Sequence, residues 1–173
     1  MNQSTVKTVK PEELQDAMTV ITEARRAIAS LGIDQWQDGY PTEDVIDSDI
    51  QTENLLGVYD GASLLAVCAV FPGADPVYQN IDGEWKNKGE YVTVHRMAVS
   101  DRARGKGAAR MLMEKAFEIA SHAGASSVRV DTHLGNVRMR RFLEKLGFEE
   151  CGIVDYSFHT NGDPRRIAYE KCL

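Results

Sequence analysis

Apolar residues recur at two different spacings in the N-terminal region of the chain. Residues 5–9 alternate between polar and apolar side chains, which predicts a short strand. Between residues 14 and 31 apolar side chains recur every three or four positions, which predicts one amphipathic helix that begins after Pro11 and ends near Gly32. Residues 33–50 follow neither pattern, and we expect an irregular segment that acts as a lid and leads into a short helix.

Strand patterns dominate the central region. The dipeptide Asp60-Gly61 separates apolar runs at residues 55–59 and 63–71, and this arrangement predicts an antiparallel hairpin. Residues 72–90 are rich in Gly, Pro, Asp and Asn, so we expect a long loop or a broken helix there. A further strand is predicted at residues 91–99, because polar and apolar side chains again alternate.

The C-terminal half alternates helical and strand-like patterns. The predicted elements are a helix at 108–123, a strand at 127–133, a helix at 136–146 capped by Gly147, and strands at 148–158 and 166–172 joined by a turn at 161–164. This order predicts a fold of the α/β (α+β) class, with a mixed, largely antiparallel central sheet of six to seven strands flanked by about four helices.

Composition narrows the classes of function. The chain has 173 residues, of which 43% are hydrophobic and 27% charged, so one globular domain over residues 1–173 is expected. A net charge of -6 argues against a general nucleic-acid binder. The longest apolar run, residues 64–71, is far shorter than the roughly 20 residues that cross a bilayer, so no membrane partner is expected. Because residues 1–10 lack the apolar stretch of a signal peptide and the three cysteines form no C-x-x-C pair, we expect a cytoplasmic protein with reduced thiols.

A basic, glycine-containing turn between a strand and a helix is the most informative stretch of the sequence. Helix N-termini attract phosphates through unpaired backbone N–H groups, and glycines let a ligand approach the backbone closely. The turn also concentrates positive charge in an otherwise acidic chain, at Arg102, Arg104, Lys106 and Arg110. The alternative interpretation is a tight turn with a solvated basic face. The stretch matches neither the Walker loop nor the dinucleotide-binding fingerprint.

Two motifs give this chain a specific resemblance. Arg102-x-x-Gly105-x-Gly107, after a strand, resembles the acetyl-CoA loop of the GNAT N-acetyltransferase superfamily, which has the pattern Q/R-x-x-G-x-G/A. The run from Asn136 through Met139 to Gly147-Phe148 resembles the second signature of that superfamily at matching spacing. The resemblance is close over residues 91–158.

The resemblance implies a single acyl-CoA N-acyltransferase domain that uses acetyl-CoA as co-substrate. It implies backbone contacts from residues 97 and 99 to pantetheine, and a pyrophosphate cradle formed by the amides of residues 104–108. The implied binding residues are Met97, Ala98, Val99, Arg102, Arg104, Gly105, Lys106, Gly107, Ala108, Asn136 and Met139. The implied activity is transfer of the acetyl group to a primary amine by direct attack in a ternary complex.

This chemistry requires a base for the ammonium and an acid for the departing thiolate. Members of the family often carry the acid as a tyrosine on the second helix, but the matching position here is Leu143. Tyr156 on the following strand is a possible substitute, and solvent is the alternative. As base we favour His95, because alternation along the strand predicts one shared face for four side chains: Thr93, His95, Met97 and Val99. A strand histidine that only satisfies a neighbour is the competing interpretation.

Other polar and aromatic residues are candidates for the acceptor site. Asp131 and His133 share one face near the end of their strand, where they would orient an ammonium or a water, or else cap the next helix. Trp36 and Tyr40 are predicted to line the acceptor pocket, as are Tyr78 and Trp85, unless these aromatic residues fasten long loops to the core. The sequence contains neither a G-x-S-x-G elbow nor an H-E-x-x-H motif, so we expect no hydrolytic triad and no metal.

Three hypotheses about function therefore stay open. The first is an enzyme that acetylates a small amine, the second is a non-catalytic sensor of acyl-CoA, and the third is a protein N-terminal or lysine acetyltransferase. Leu143 favours the sensor, whereas His95, Asp131 and the intact glycine turn favour the enzyme. A lid over residues 33–50 would narrow a peptide groove, which favours a small acceptor. An apolar strand edge makes a homodimer possible.

Overall fold

The computed structural model describes residues 4–157, 160 and 162–173. Within those ranges eight strands form one sheet and four helices pack against it. The strands are β1 (Thr5–Thr8), β2 (Leu55–Asp60), β3 (Ser63–Pro72), β4 (Asp82–Gly83), β5 (Tyr91–Val99), β6 (Ser127–His133), β7 (Glu149–Asp155) and β8 (Arg165–Cys172). The helices are α1 (Leu14–Ala29), α2 (Glu43–Gln51), α3 (Ala108–His122) and α4 (Val137–Lys145).

The strand order in the sheet is β1-β2-β3-β5-β6-β8-β7-β4. All neighbouring strands are antiparallel except β5 and β6, which are parallel because α3 carries the chain from the end of one to the start of the other. This confirms the predicted fold class and the largely antiparallel sheet. The strand count exceeds the prediction because β4, inside the expected loop, has only two residues and therefore no periodicity to detect.

The two faces of the sheet carry separate helical layers. Helices α3 and α4 contribute Leu112, Met113 and Leu143 to the core on one face. Helices α1 and α2 pack on the other face through apolar residues that include Ile21 and Ile46. None of the helices in the described ranges is both long enough and apolar enough to span a bilayer.

A buried carboxylate fastens the segment before β5 to the sheet. Glu170 of β8 is 1% exposed and accepts hydrogen bonds from Arg129 Nε at 2.8 Å and Ser127 Oγ at 2.5 Å. Its second oxygen accepts from the backbone N–H groups of Lys86 and Asn87. Both carboxylate oxygens of Glu170 thus have hydrogen-bond partners within the protein, and two of these partners belong to the backbone at residues 86 and 87. Glu170 therefore holds this part of the segment against the sheet.

A bulge in β5 changes which side chains share a face. Cys68 of β3 stands opposite two residues of β5, Arg96 and Met97, and Arg96 has a φ of 53°. An extra residue reverses the alternation of side chains beyond it. His95 lies on the face covered by α1 and α2, whereas Met97 and Val99 pack into the core on the α3 face. The prediction of one common face was therefore wrong for this set: Thr93, His95, Met97 and Val99.

The last predicted strand and turn lie partly beyond what the structure describes. The described β7 ends at Asp155, and β8 begins at Arg165 and pairs with it antiparallel. Residues 158, 159 and 161 lie outside the described ranges, and they include the predicted strand end at Phe158 and part of the turn at 161–164.

Candidate active site

The parallel strands β5 and β6 separate in the middle of the sheet. In the described residues their pairing runs only from Tyr91↔Ser127 to Thr93↔Arg129, although β5 continues to Val99. Beyond that point the β6-facing backbone edge of β5 borders a gap between the strands. The gap adjoins a cavity of about 800 Å³, which makes this the place where a ligand would reach the sheet.

The cavity wall contains unusual backbone geometry. Trp36, with a φ of 66°, and Arg96, with a φ of 53°, both line it. Only one other non-glycine residue in the described ranges has a positive φ, namely Glu53. Such conformations cost free energy and concentrate at functional sites, so their presence in one wall supports a site here.

His95 lies in this cavity between two carboxylates. Its Nε2 is 2.8 Å from Asp75 Oδ2, and its Nδ1 is 4.0 Å from Asp131 Oδ2. Asp75 is oriented by the backbone N–H of Val77, which donates to the other carboxylate oxygen at 2.8 Å. Burial favours a higher pKa for Asp75, but the hydrogen bond and charge of His95 outweigh it and lower the pKa. Asp75 is therefore an ionised partner that can stabilise an imidazolium.

Two tyrosines hold the second carboxylate. The hydroxyl groups of Tyr78 and Tyr156 donate to Asp131 Oδ2 at 2.7 Å and 2.8 Å. Burial and then the charge of Asp131 raise the pKa of both phenols well above the ordinary value, so both stay protonated. The structure thus brings together three predicted catalytic residues: His95, Asp131 and Tyr156.

An ion pair fixes the segment between α1 and α2 over the cavity. Arg96 donates to both carboxylate oxygens of Asp49, at 2.6 Å and 2.8 Å, and its Nη1 donates to Tyr40 Oη at 2.9 Å. Burial raises the pKa of Asp49, against the opposing effect of Arg96. We call Asp49, Arg96 and Tyr40 the latch. It links α2, the bulge of β5 and the irregular segment that the sequence predicted as a lid.

The predicted acceptor residues have different positions. Trp36 and Tyr40 line the cavity. His133 is outside its wall: its Nε2 is 3.3 Å from Asp34 Oδ1, and its Nδ1 accepts a hydrogen bond from the backbone N–H of Gly135 at 2.9 Å. Burial, and then the charge of Arg166, lower the pKa of His133.

Tyr78 and Trp85 also lie outside the cavity wall. Their rings are 5.1 Å apart, and the indole N–H of Trp85 donates to the backbone oxygen of Tyr78 at 2.9 Å. The Trp85 ring also lies 4.1 Å from the Arg129 guanidinium. These contacts favour the alternative interpretation, in which the two aromatics fasten the 72–90 segment to the core.

The second motif of the resemblance forms the start of α4. Asn136 caps the helix by accepting a hydrogen bond from the backbone N–H of Met139 at 3.2 Å, and its amide nitrogen donates to Gln35 at 3.1 Å. Asn136 and Met139 both line the cavity. Leu143, at the position of the family tyrosine, is fully buried in the core and cannot serve as an acid.

The glycine turn fits a phosphate group. Gly105 and Gly107 have φ values of 72° and 86°, and a Cβ added at either would meet no atom within 4 Å. In the described part of the chain, no hydrogen bond is donated by the backbone N–H groups of residues 107–110, and α3 has no side-chain cap. These amides point from the N-terminus of a 15-residue helix, which is the arrangement that binds pyrophosphate.

The basic residues of the turn are only partly neutralised. Arg104 pairs with Asp101, and Arg110 lies 3.8 Å from Glu114. Arg102 and Lys106 are exposed and form no ion pair within the described ranges. The side chain of Ala98, also implied by the resemblance, points into the core beneath α1 and α2, so only its backbone can face a ligand.

Several charged residues of the cavity could not be predicted from the sequence. Asp75 carried a weak local signal, since Asp before Pro is a common cap, but nothing in the sequence linked it to His95. Asp49, Arg96 and Arg166 carried no signal, because their partners or neighbours lie far away in the chain. Among the described residues, no three His, Cys, Asp or Glu side chains are arranged to hold a metal ion.

Comparisons with known proteins assign this chain to a family. The family model described as Acetyltransferase (GNAT) family matches residues 21–148. A GNAT-family acetyltransferase from Streptococcus agalactiae is 34% identical, with a TM-score of 0.85, and the match covers 99% of this chain and 96% of that one. Comparison with curated protein sequences finds no match.

More distant structures share the fold. The PaiA N-acetyltransferase from Thermoplasma acidophilum, solved in complex with coenzyme A, has a TM-score of 0.70 at 17% identity, covering 99% of each chain. The ribosomal-protein-S18-alanine N-acetyltransferase from Escherichia coli has a TM-score of 0.67 at 15% identity, covering 98% of this chain and 94% of that one. The matched family model and the 34% identity over nearly the whole length show that this chain belongs to the GNAT acetyltransferase family.

Proposed function

We propose that this protein transfers the acetyl group of acetyl-CoA to the primary amine of a small molecule. The observation that carries the proposal is the position of His95, between Asp75 and Asp131 in the cavity where β5 and β6 separate. GNAT acetyltransferases use acetyl-CoA, and related folds are named as N-acetyltransferases. A base flanked by carboxylates is what an amine acceptor requires, because amines are protonated at neutral pH.

Acetyl-CoA supplies an acyl group activated as a thioester. In the proposal its pyrophosphate is held by the N–H groups of residues 107–110 and by the exposed charges of Arg102 and Lys106. The free edge of β5 at Met97 and Val99 faces the gap and offers backbone hydrogen bonds to the pantetheine arm. Asn136 and Met139 contact the same arm from the start of α4.

His95 and its neighbours prepare the acceptor. The charges of Asp75 and Asp131 attract the ammonium, and His95 accepts its proton, directly or through one water. The ionised Asp75, 2.8 Å from His95 Nε2, then stabilises the imidazolium. The neutral nitrogen forms its bond to the acyl carbon as the carbon–sulfur bond breaks, and the electron pair leaves on sulfur. The nitrogen, which is positively charged after the attack, then loses its second proton to solvent, so that a neutral amide remains.

Tyr156 is better placed to orient Asp131 than to protonate the departing thiolate. Its hydroxyl already donates to Asp131 at 2.8 Å, and its raised pKa disfavours release of that proton. We therefore propose that solvent protonates the thiolate, with Tyr156 as a positioning residue. Of the two acids considered from the sequence, the Tyr156 phenol and solvent, the proposal therefore favours solvent.

The shape of the cavity favours a small acceptor over a protein. Its volume of about 800 Å³ lies within the roughly 300–1,000 Å³ of small-molecule pockets. The latch holds residues 35–40 across it, which narrows the approach for a peptide. A non-catalytic sensor needs no base, so the pairing of His95 with Asp75 favours the enzyme over the sensor.

Steady-state kinetics of His95→Gln test the proposal. Glutamine can still bond Asp75 but cannot take up a proton, so kcat for an amine acceptor should fall about 10²- to 10⁴-fold. Acetyl-CoA affinity, measured by calorimetric titration, should stay within about twofold. His122→Gln, on the exposed end of α3, should retain wild-type rates. An unchanged kcat in His95→Gln would show that His95 is not the base. If the protein binds acetyl-CoA but acetylates no amine of a broad panel, the sensor hypothesis is favoured.

A further inference from the structure

Arg166 is a buried cation in the cavity wall, and within the described ranges it has no ionic partner. It is the second residue of β8 and is 8% exposed. Its Nη1 donates to the backbone oxygens of Asp163 and Arg165, at 2.5 Å and 2.9 Å. Among the described residues, no carboxylate pairs with Arg166, and its Nε and Nη2 make no hydrogen bond. A buried charge is costly unless an opposite charge meets it, so this position suits an anionic ligand group.

The acidic residues near Arg166 are already engaged elsewhere. Both carboxylate oxygens of Asp163 accept hydrogen bonds from Arg165, at 3.0 Å and 2.9 Å. Asp34 lies beside His133, at 3.3 Å. His133 stands opposite Arg166 across the β6–β8 pair and adds no negative charge. Among the residues that the structure describes, the guanidinium edge formed by Nε and Nη2 therefore has no partner.

Arg166 lies close to the amine-binding end of the cavity. Asp131 pairs with Ala168, and His133 pairs with Arg166, so Asp131 and Arg166 are diagonal neighbours on one face of the sheet. Diagonal neighbours in an antiparallel pair are roughly 7–8 Å apart. Tyr156 lies between them, with its hydroxyl on Asp131 and its ring centre 6.0 Å from the Arg166 guanidinium. One cavity thus holds a negative and a positive group that do not neutralise each other.

We propose that the acceptor is an amino acid, or a closely similar amine that carries a carboxylate. Its carboxylate pairs with the Nε and Nη2 edge of Arg166, whose two parallel N–H groups match two carboxylate oxygens. Its ammonium faces Asp131 and His95. This inference rests on the proposed function and names the substrate class of that same site.

Matched acceptor pairs test the inference. Acetyl transfer is measured for α-, β- and γ-amino acids and for the corresponding primary amides, which keep the amine and lose only the charge. For wild type, the best amino acid should exceed its amide by about 10- to 100-fold in kcat/KM, because a charge-assisted bidentate pair is lost. Arg166→Met should remove this preference through a higher KM for the acid, with little change for the amide. Arg166→Lys should restore part of it.

The double variant Asp163→Asn, Arg165→Met is the matched control, because it removes that neighbouring ion pair, leaves no free carboxylate at position 163 and keeps the Arg166 guanidinium. It should retain the preference for the acid. Circular dichroism and acetyl-CoA titration verify that each variant folds. Equal rates for acids and amides in wild type, or an unchanged preference in Arg166→Met, would overturn the inference and leave the proposed function standing.

A binding measurement separates this inference from the catalytic proposal. Titration of the same acids and amides into the complex with coenzyme A needs no turnover. Tighter binding of the acid that disappears in Arg166→Met supports the carboxylate site, even if no amine is acetylated. Equal binding of acid and amide overturns it.

Discussion

Single residues acquire their roles here from polar contacts that are distant in sequence. His95 was found from its place on a strand, but its partner Asp75 lies 20 residues away and was not. His133, a sequence candidate for the acceptor site, instead closes a local turn. Its Nδ1 accepts the Gly135 N–H, so that nitrogen carries no proton in the folded protein.

The neutral His133 predicts a loss of stability in mild acid. Burial and Arg166 lower its pKa in the folded state, whereas in the unfolded chain it takes up a proton near the ordinary value of about 6.5. The unfolded state therefore binds more protons below that pH, and stability falls as pH decreases through this range. Thermal melts from pH 7.5 to 5 should show a smaller decrease for His133→Gln than for wild type. His122→Gln should follow wild type, and identical slopes in all three proteins would contradict the assignment.

At the scale of elements, the β5 bulge joins two functions. It directly follows His95, which lines the cavity, and it places the Arg96 guanidinium against Asp49 of α2 and Tyr40 of the lid segment. The lid was predicted from its composition. Its attachment was not, because a 47-residue separation between Arg96 and Asp49 leaves no trace in local periodicity.

The two partners of Arg96 should differ in their effect on stability. Asp49→Ala leaves a buried guanidinium without its counter-charge and should lower the free energy of unfolding by about 3–5 kcal/mol. Tyr40→Phe removes one hydrogen bond, keeps the ion pair and should cost about 0.5–1.5 kcal/mol. Urea unfolding of both variants measures the difference. Equal decreases in the free energy of unfolding would show that the ion pair stabilises the protein no more than the Tyr40 hydrogen bond does.

At the scale of the whole molecule, two proposed binding sites, the glycine turn and the cavity, lie beside the gap between β5 and β6. In the proposed function, the glycine turn at the start of α3 holds the phosphates of acetyl-CoA and the cavity beyond β5 and β6 holds the acceptor. Acetyl-CoA would then connect elements from both halves of the chain. Its binding should stabilise the fold as a unit.

Acetyl-CoA should raise the melting temperature of the wild-type protein. At 100 times its dissociation constant a ligand adds about 2.7 kcal/mol, which corresponds to roughly 5–10 °C for a chain of this size. Gly107→Glu should lose most of this shift, because it brings a carboxylate to the proposed phosphate site. Gly124→Glu is matched for strain and space, with a φ of 70° and nothing within 4 Å of an added Cβ, and should keep it. Equal shifts in both variants would place the phosphates elsewhere.

The sequence by itself determined the elements and the family. The predicted bounds of β5 and β6 match the structure residue for residue, and the hairpin at Asp60-Gly61 forms as expected. The helices agree within a few residues. These features follow from periodicity and turn chemistry, which act between residues only a few positions apart.

The tertiary structure alone decided the chemistry of the cavity. The bulge at Arg96 depends on pairing with β3, the ionised partner of His95 comes from the loop after β3, and Arg166 reaches the cavity only through the pairing of β8 with β6. Each of these contacts joins residues that are far apart in the chain. Local patterns of hydrophobic and polar residues carry no record of such contacts, because their free energy is gained only when the whole sheet has assembled.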